Sequence, residues 1–384
     1  MTAHFLDFAA TSALRPPEVG DAVRAYIDET GATAGRGGYD RALDAGRRVL
    51  RARRAVHGVL GLPGDPARLT FSANATMSLN HVLQRVLRPG DAIVVTDFDH
   101  NAVLRPAAWL EQHRDVRVRH VHGRPDGSLD RRALTRALDG ARLLAINAVS
   151  NVLGTRLPVA ELVDEAHAAG ALTLVDSAQA AGHLPMDWGD ADFVVFTGHK
   201  GLLGPQGTGG LWVRPGVDLE PLLTGGTGGN SLDRTMPSAW PDHLEAGTLN
   251  GPGIAGLGAG AAWVASHGIA RLHERTRNLK VRLLDGLSRI PTIEILSPPA
   301  LDGAGIVTIR SGAVDAAALA RDLDRHHGVQ VRSGLHCAPE VHRLLGTTAT
   351  GAVRFSLGWA STDADVDAAV DGTARVVRAS RVAF

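Results

Sequence analysis

The chain carries an acidic and a basic side chain at the ends of two neighbouring apolar runs. Asp176 comes directly after Ala-Leu-Thr-Leu-Val, and Lys200 follows Phe-Val-Val-Phe-Thr-Gly-His. Lys200 and Lys280 are the only lysines among the 40 basic residues. Arginine stays protonated in proteins, so chemistry that needs a neutral amine must use a lysine. Because ligands gather beyond the carboxyl ends of strands in open α/β sheets, Asp176 and Lys200 are the first candidate site residues.

This pair of side chains matches what pyridoxal 5'-phosphate (PLP) requires of a protein. A lysine forms an imine with the aldehyde, and a carboxylate keeps the pyridine nitrogen protonated so that the ring accepts electrons. Gly204 and Gly207 after Lys200 suit the close approach of a bulky ligand. Lys280 lies among arginines on a predicted helix, where a solvated face is the simpler explanation. Asp176 alone could cap a helix, but the two residues together favour the cofactor.

The phosphate of such a cofactor needs hydrogen-bond donors, and residues 71–76 precede a helical run. Free backbone N–H groups, the helix dipole and the Thr76 hydroxyl can converge there on a dianion. His199 is a second candidate donor beside the lysine. His100 follows a predicted strand, where its flat ring can stack on the pyridine. Each signal is weak alone, since Ser, Asn and Thr are ordinary helix caps and most histidines have no special role, so the prediction depends on the constellation.

A sheet of parallel strands must position these residues. Short apolar runs alternate with longer segments of helical period, as a βαβ sheet requires. We predict strands at 92–96, 116–121, 143–149, 171–175 and 193–196, with helices at 76–87, 130–138 and 158–169. After a long helix at 269–287, we predict strands at 293–296, 305–310, 329–332 and 352–357, with helices at 314–326 and 363–377. We therefore place a boundary near residue 266, between a larger unit and a smaller α+β unit.

Composition excludes several classes of protein. Hydrophobic residues make up 44% and charged residues 21% of the 384 residues, as in ordinary globular proteins, so disordered and fibrous classes are excluded. The 40 acidic residues balance the 40 basic ones, which argues against a nucleic-acid or anionic-membrane partner. The arginine cluster at 47–54 is better explained as a solvated helix face. The uncharged segment 246–270 contains seven glycines and predicts a tightly packed helix rather than a membrane span.

Cys337 is the only cysteine, so it cannot form an intrachain disulfide. The segment beginning at Met1 has neither a basic leader nor an apolar core, and we expect a reducing, cytoplasmic location. An isolated cysteine is most often a small buried hydrophobe. Cys337 follows a predicted strand and precedes a helix that begins near Pro339, which favours instead a loop thiolate stabilised by a helix terminus.

Seven sequence motifs follow one another in a specific order: 99–106 (DHNAVLRP), 150–155 (SNVLGT), 175–180 (VDSAQA), 197–200 (TGHK), 245–248 (EAGT), 332–338 (RSGLHCA) and 353–356 (VRFS). In this order they resemble the cysteine desulfurases of the class V aminotransferase group, which are PLP enzymes of fold type I. The resemblance runs from about Asp7 to the last predicted helix. It implies a large α/β domain at 18–265, with a mostly parallel seven-stranded sheet flanked by helices. Residues 1–17 and 266–384 would form a smaller α+β domain that carries Cys337 and Arg354.

The resemblance also implies a role for each candidate residue. Lys200 is the implied Schiff-base lysine, Asp176 pairs with the pyridinium nitrogen, and His100 stacks on the ring. Cys337 is the implied sulfur-accepting nucleophile, and no metal is implied. The other implied contacts are to the ring hydroxyl (Gln179), to the substrate or the hydroxyl (Asn151), to the phosphate (Ala75, Thr76, Thr197 and His199, with Thr248 reaching in from the second subunit of a homodimer) and to the substrate carboxylate (Arg354).

The implied activity is conversion of L-cysteine to L-alanine with transfer of the sulfur to Cys337 as a persulfide. A sulfur-acceptor protein is then a candidate partner. A selenocysteine lyase can use the same residues, whereas another C–S lyase or an aminotransferase would not require Cys337. A non-catalytic sulfur-relay or regulatory protein of the same fold would be expected to lack Lys200 or Asp176, and both are present.

Some positions depart from the family pattern. Asn74 stands where a glycine is common, and Met77 stands where many relatives have an acidic residue, which leaves the details of the phosphate loop open. The segment between Gly334 and Pro339 has no long insertion, so the thiol lies on a short segment. Arg36, before two glycines, belongs either to the entrance of the site or to a simple turn.

Overall fold

The computed structural model describes residues 3–35, 37–228, 232–299 and 302–382, so Arg36 lies outside the described residues. The strands are β1 (His4–Phe5), β2 (Leu69–Ser72), β3 (Ala92–Thr96), β4 (Arg117–Val121), β5 (Leu143–Asn147), β6 (Leu172–Asp176), β7 (Phe193–Thr197), β8 (Gly209–Val213), β9 (Ile293–Ile295), β10 (Ile306–Ser311), β11 (Val329–Gln330), β12 (Arg332–Gly334) and β13 (Ala352–Ser356). The α-helices are α1 (Pro17–Ala25), α2 (Asp40–Leu60), α3 (Ala75–Val86), α4 (Asn101–Arg114), α5 (Arg131–Leu138), α6 (Val159–Ala168), α7 (Gly251–His267), α8 (Ile269–Ser288), α9 (Ala316–His327), α10 (Pro339–Leu344) and α11 (Asp363–Val382).

Seven of the described strands form the central sheet, in the order β2-β8-β7-β6-β5-β3-β4. Strand β8 runs antiparallel to both of its neighbours, and the other pairings are parallel. The inner strands are runs of Val, Ile, Leu and Phe that are buried along their whole length, because helices cover both faces. Helices α3 and α4 pack on one face, and α2, α5, α6 and α7 pack on the other. The predicted α/β fold with a mostly parallel seven-stranded sheet is confirmed.

Two strands of this sheet, β2 and β8, were not among those predicted. Strand β8 begins with Gly209 and Gly210, which read as a loop in the sequence. A Cβ atom at Gly210 would lie 2.3 Å from the carbonyl oxygen of Thr70, and one at Gly209 would lie 2.8 Å from the backbone of Asn74. The glycines are therefore required so that the antiparallel strand can approach β2 and the start of α3.

The C-terminal third builds a second, four-stranded antiparallel sheet in the order β12-β13-β10-β9. The single strand predicted at 329–332 is wrong in one respect, because it divides into two. Val329–Gln330 pairs in parallel with β1, whereas Arg332–Gly334 pairs with β13. Helix α11 packs against α8 and α9 around a separate apolar core. The division near residue 266 stays a prediction, and the packing of α7 on α1 and α2 supports it.

The glycine-rich segment forms a helix that is shorter than predicted. Helix α7 begins at Gly251, because the Asn250 side chain accepts a hydrogen bond from the backbone N–H of Gly253 at 3.1 Å and caps the first turn. A Cβ atom at Gly258 would lie 2.7 Å from the Cα atom of Ala52, so the glycines let α7 and α2 pack closely. Within the described ranges, no helix combines the length and the apolar character needed to cross a bilayer.

Candidate active site

The carboxyl ends of β6 and β7 bring the first two candidate residues to one edge of the sheet. Asp176 is the last residue of β6 and is paired in register with Val195 of β7. Strand β7 ends at Thr197, and Lys200 follows three residues later. Because β6 and β7 are parallel neighbours, the carboxylate and the amine lie beyond the same edge, as the sequence predicts.

A cavity of about 240 Å³ opens at this edge. Ten of the twelve predicted site residues line it, and Cys337 and Thr248 are the two that do not. The lining is formed by Ala9, Ala10, Asn74, Ala75, Thr76, His100, Ala102, Asn147, Asn151, Asp176, Ala178, Gln179, Thr197, His199, Lys200, Arg332, His336 and Arg354. Polar groups from the seven-stranded sheet and from the four-stranded sheet therefore converge on one space.

Lys200 lies in an environment that favours the neutral amine. Burial lowers the pKa of its amine from 10.5 to about 8, and the cations Arg354 and Arg332 act in the same direction. The carboxylate of Asp176 opposes them by stabilising the ammonium form. Asp176 is 5% exposed, and one of its oxygens accepts a hydrogen bond from the backbone N–H of Ala178 at 2.9 Å. Residues 178–183 form turns and not a helix, so this hydrogen bond closes a turn, and the helix-capping role that the sequence allowed for Asp176 is wrong.

One end of the cavity suits an anion. The first turn of α3, with Ala75 and Thr76, faces it, and helix N-termini present free N–H groups and the positive end of the helix dipole. Asn74 caps this helix by accepting from the backbone N–H of Met77 at 2.9 Å. Asn74 and Met77, the two positions that depart from the family pattern, are therefore the acceptor and the donor of one capping hydrogen bond. His199 lies beside them, with its Nδ1 3.0 Å from the Thr11 hydroxyl.

The imidazoles and the amide of the cavity are held by hydrogen bonds. His100 precedes α4, and its Nδ1 accepts from the backbone N–H of Ala102 at 3.0 Å, which leaves the proton on Nε2. Burial lowers the pKa of His100, and burial with the nearby Lys200 lowers the pKa of His199 to about 4, so both rings are neutral at neutral pH. The side-chain amide of Gln179 donates to the carbonyl of Ala9 at 2.9 Å, and its oxygen is the remaining acceptor.

Two residues of the cavity lining have a buried polar atom without a hydrogen-bond partner, the Nε of Arg354 and the Oδ1 of Asn151. Arg354 is 1% exposed; it donates from Nη1 to the carbonyl of Asn151 at 3.0 Å and from Nη2 to Asp7 at 2.8 Å. Buried polar groups are nearly always paired, so an unpaired donor and an unpaired acceptor beside a cavity indicate a bound polar ligand. A carboxylate is the group that a guanidinium N–H recognises best.

Sequence comparisons with known proteins identify the family of the chain. Residues 4–369 match the family described as Aminotransferase class-V. The chain belongs to the aminotransferase class-V family. It is 36% identical to a probable cysteine desulfurase of Methanothermobacter thermautotrophicus, over 94% of this chain and 92% of that protein. It is 33% identical to a cysteine desulfurase of Escherichia coli, over 97% of this chain and 93% of the relative.

Solved structures of this class-V family agree with the fold. The apo cysteine desulfurase from Thermococcus onnurineus NA1 matches with a TM-score of 0.91 and 31% identity, covering 98% of this chain and 95% of that one. The cysteine desulfurase CsdA from Escherichia coli matches with a TM-score of 0.88 and 30% identity at the same coverage. The predicted resemblance to the cysteine desulfurases of the class V group is confirmed.

Cys337 lies just outside the cavity of this class-V chain. It lines an adjoining open groove of about 400 Å³ that shares Thr76 and His100 with the cavity, and its side chain is exposed. The cation nearest its sulfur in the described hydrogen bonds is Arg332, whose Nη2 lies 3.7 Å from Sγ. Thr248 is exposed and lies away from the cavity of its own chain. Its predicted contact with a second subunit stays a prediction.

Sequence reasoning missed several residues of the site. Asn147, Arg332 and His336 line the cavity, and Asp7 holds Arg354. Arg332 and His336 lie within the motif that contains Cys337, and their polar character next to the sole thiol was an available signal. Asp7 could not be found from local pattern, because long-range pairing brings the N-terminal segment to the cavity: β1 pairs with β11, and Asp7 forms a parallel bridge with Ser356 of β13.

Proposed function

We propose that this protein is a PLP-dependent cysteine desulfurase, which converts L-cysteine to L-alanine and leaves the sulfur on Cys337 as a persulfide. The observation that carries the proposal is one cavity that contains Lys200, Asp176 and the unpaired Nε of Arg354, with the exposed Cys337 at its mouth. The names of the class-V relatives support the same activity.

The cavity fits the cofactor by the chemistry of its residues. A buried amine of lowered pKa, a carboxylate, a helix N-terminus and neutral imidazoles are the groups that an aldehyde, a pyridinium nitrogen and a phosphate require. When bound, PLP supplies an aldehyde for the Lys200 amine and a ring that accepts electrons. The residues that would hold it are Ala75, Thr76, His100, Asn151, Asp176, Gln179, Thr197, His199 and Lys200.

The positions of Arg354 and Lys200 in the cavity determine what each residue does in the reaction. Arg354 binds the substrate carboxylate through its unpaired Nε–H and so orients the Cα–H bond. Lys200 takes the proton from the substrate Cα at Nζ, because an amine with a pKa of about 8 can both accept and return a proton near neutral pH. Burial of these groups excludes bulk water from the proton transfer.

Cys337 accepts the sulfur. Its Sγ, as the thiolate, forms an S–S bond with the substrate sulfur while the Cβ–S bond breaks, and the electron pair of that bond stays on the substrate carbon skeleton. Protonation at Cβ then yields alanine, and Cys337 holds the persulfide. Arg332 lies with Nη2 3.7 Å from Sγ, where its guanidinium can donate a hydrogen bond to the sulfur.

The assembly and the partners are part of the proposal. Thr248 is proposed to reach the phosphate of a second copy of the chain, because it is exposed and lies outside its own cavity. Exposed apolar side chains on helix α2 and in the segment before it suit a subunit contact; they are Ile27, Tyr39, Leu43 and Leu50. A sulfur-acceptor protein would take the persulfide from the exposed Cys337, and a reducing, cytoplasmic compartment suits a reaction through a free thiol.

The test measures alanine and persulfide formation by PLP-loaded protein with L-cysteine and, separately, with selenocysteine. Cys337→Ser should abolish alanine formation from L-cysteine and leave the absorbance of the cofactor intact. Retained turnover in Cys337→Ser would indicate another C–S lyase or an aminotransferase, and a reaction with selenocysteine alone would indicate a selenocysteine lyase. Borohydride should trap the cofactor in wild-type protein and in the matched variant Lys280→Arg, but not in Lys200→Arg.

A further inference from the structure

The segment that carries Cys337 adopts a conformation that its residues do not favour. His336 and Cys337 have φ values of 50° and 59°, in the left-handed region where residues other than glycine are strained. Such strain persists only where the surrounding structure holds it. Contacts from outside the segment must therefore fix the nucleophile.

Two hydrogen bonds fix the peptide groups on either side of the Cys337 Cα atom. The backbone N–H of Asn101, at the start of α4, donates to the carbonyl of Cys337 at 2.8 Å. The side-chain amide of Asn151 donates to the carbonyl of His336 at 2.6 Å. Both donors belong to the walls of the site, so the backbone of the segment is tied to the cavity.

A chain of buried side chains holds the segment from the other side. The ring of His336 lies with Nε2 3.2 Å from the carbonyl of Arg332 and with Nδ1 3.2 Å from Nε2 of His342 in α10. Nδ1 of His342 lies 2.8 Å from the hydroxyl of Thr347. His336 is 3% exposed, and His342 and Thr347 are fully buried. We call His336, His342 and Thr347 the histidine chain.

The hydrogen bonds of the histidine chain run in one direction. A carbonyl only accepts, so Nε2 of His336 carries the proton and its Nδ1 is an acceptor. Nε2 of His342 must then donate, and its Nδ1 accepts from the Thr347 hydroxyl. Burial lowers the pKa of His336 to about 3 and that of His342 to about 4, so both rings stay neutral near pH 7. Each link thus determines the tautomer of the next.

We propose that His342 is a positioning residue for sulfur transfer: through His336 it holds the strained segment so that Sγ of Cys337 stays in the groove at the mouth of the cavity. This inference rests on the proposed function and extends it to His342 and Thr347, which do not line the cavity. A thiolate displaced by about 1 Å can lose on the order of 100-fold in rate. Changes at His342 and Thr347 should therefore slow the sulfur step more than substrate binding.

The first test separates these two steps. In PLP-loaded protein, the absorbance change on adding L-cysteine reports substrate reaching the cofactor, and single-turnover alanine formation reports sulfur transfer. We expect His342→Leu to leave the first rate within about twofold and to slow the second at least tenfold. His342→Gln, whose amide can donate to His336 in place of Nε2, should recover most of the loss. Equal losses in both rates, no loss, or no recovery in a folded glutamine variant would overturn the proposal.

Two variants at Thr347 test the proposal if His342→Leu fails to fold. Thr347→Val removes the donor to Nδ1 of His342, leaves that buried acceptor unpaired and should slow alanine formation about three- to tenfold. Thr347→Ser should retain the wild-type rate. Ring ¹⁵N spectra give a readout independent of turnover, with the Nε2–H tautomer expected for both histidines in wild type and a shifted Nδ1 resonance of His342 in Thr347→Val. An unchanged Nδ1 resonance in that variant would contradict the histidine chain, whereas absence of alanine formation by wild type would contradict the proposed function.

Discussion

The amine of Lys200 should react with an aldehyde near neutral pH much faster than the amine of an ordinary lysine does. With a pKa of about 8, ~10% of the amine is neutral at pH 7, against ~0.03% for a lysine of pKa 10.5. The neutral amine is the form that attacks an aldehyde, so its available fraction rises by about 300-fold. Burial is the main cause, and Arg354 and Arg332 add to it.

The assay is the pH dependence of labelling at single lysines. The cofactor-free protein is treated with formaldehyde and cyanoborohydride between pH 6 and 11, and methylation at Lys200 and Lys280 is followed by mass spectrometry. Because the neutral amine reacts, the rate at Lys200 should rise with pH and reach half of its maximum at about 8. Asp176→Asn removes the anion that raises this pKa and should move the midpoint down. Arg332→Met removes a cation that lowers it and should move the midpoint up.

Lys280 provides the control inside the same protein. Lys280 is 1% exposed, so the solvated position predicted for it is wrong. Burial lowers its pKa to about 8 as well, but its charged neighbour is Asp302, so neither variant should alter its midpoint. A midpoint for Lys200 at 10 or above would refute the burial argument. Equal shifts at both lysines would show that the variants disturb the whole molecule, and would refute the assignment of Asp176 and Arg332 as the local causes.

Three further outcomes follow from single contacts. Arg354→Lys should lower kcat/KM for L-cysteine about 10- to 100-fold, because one charged hydrogen bond contributes ~1.5–3 kcal/mol; an equal loss with cysteine methyl ester, which lacks the carboxylate, would contradict carboxylate binding. Glu245→Gln breaks the buried ion pair with Arg53 (2.8 Å) and should lower the free energy of unfolding in urea by ~3–5 kcal/mol, with most of it recovered in the double variant Arg53→Met/Glu245→Leu. Gly258→Ala should cost ~1–3 kcal/mol in the same measurement because its Cβ would meet α2 at 2.7 Å, whereas Gly20→Ala, with open space around it, should not destabilise.

The sequence predicted the parts of the molecule that local chemistry determines. The strands after which Asp176 and Lys200 lie are continuous apolar runs, and such runs have few alternatives to a buried parallel strand. Lys200 could be selected because its competitor Lys280 is the only other lysine. The resemblance then supplied roles for residues such as Gln179 and Arg354, whose individual signals are weak.

Long-range pairing explains what was missed. Asp7 reaches Arg354 because it forms a parallel bridge with Ser356 at the end of β13, just after β1 pairs with β11. Asp7 and Arg354 are 347 residues apart in the sequence, and no local pattern encodes that contact. Strand β8 was missed because its first two glycines have low strand propensity, and their purpose is visible only once β2 and α3 lie against them. Tertiary contacts therefore determine both the position of Asp7 and the formation of strand β8.

The charges of the cavity are divided between two kinds of side chain. His100, His199 and His336 have pKa values lowered chiefly by burial, so near pH 7 they donate and accept hydrogen bonds without adding charge. The permanent cations are Arg332 and Arg354, which face the thiol and the proposed carboxylate site. Protonated imidazoles would add positive charge around Lys200 and lower its pKa further, beyond the range in which it can hold a substrate proton. Neutral histidines beside fixed arginines therefore keep the pKa of Lys200 near 8, and they leave the recognition of anions to Arg332, Arg354 and the first turn of α3.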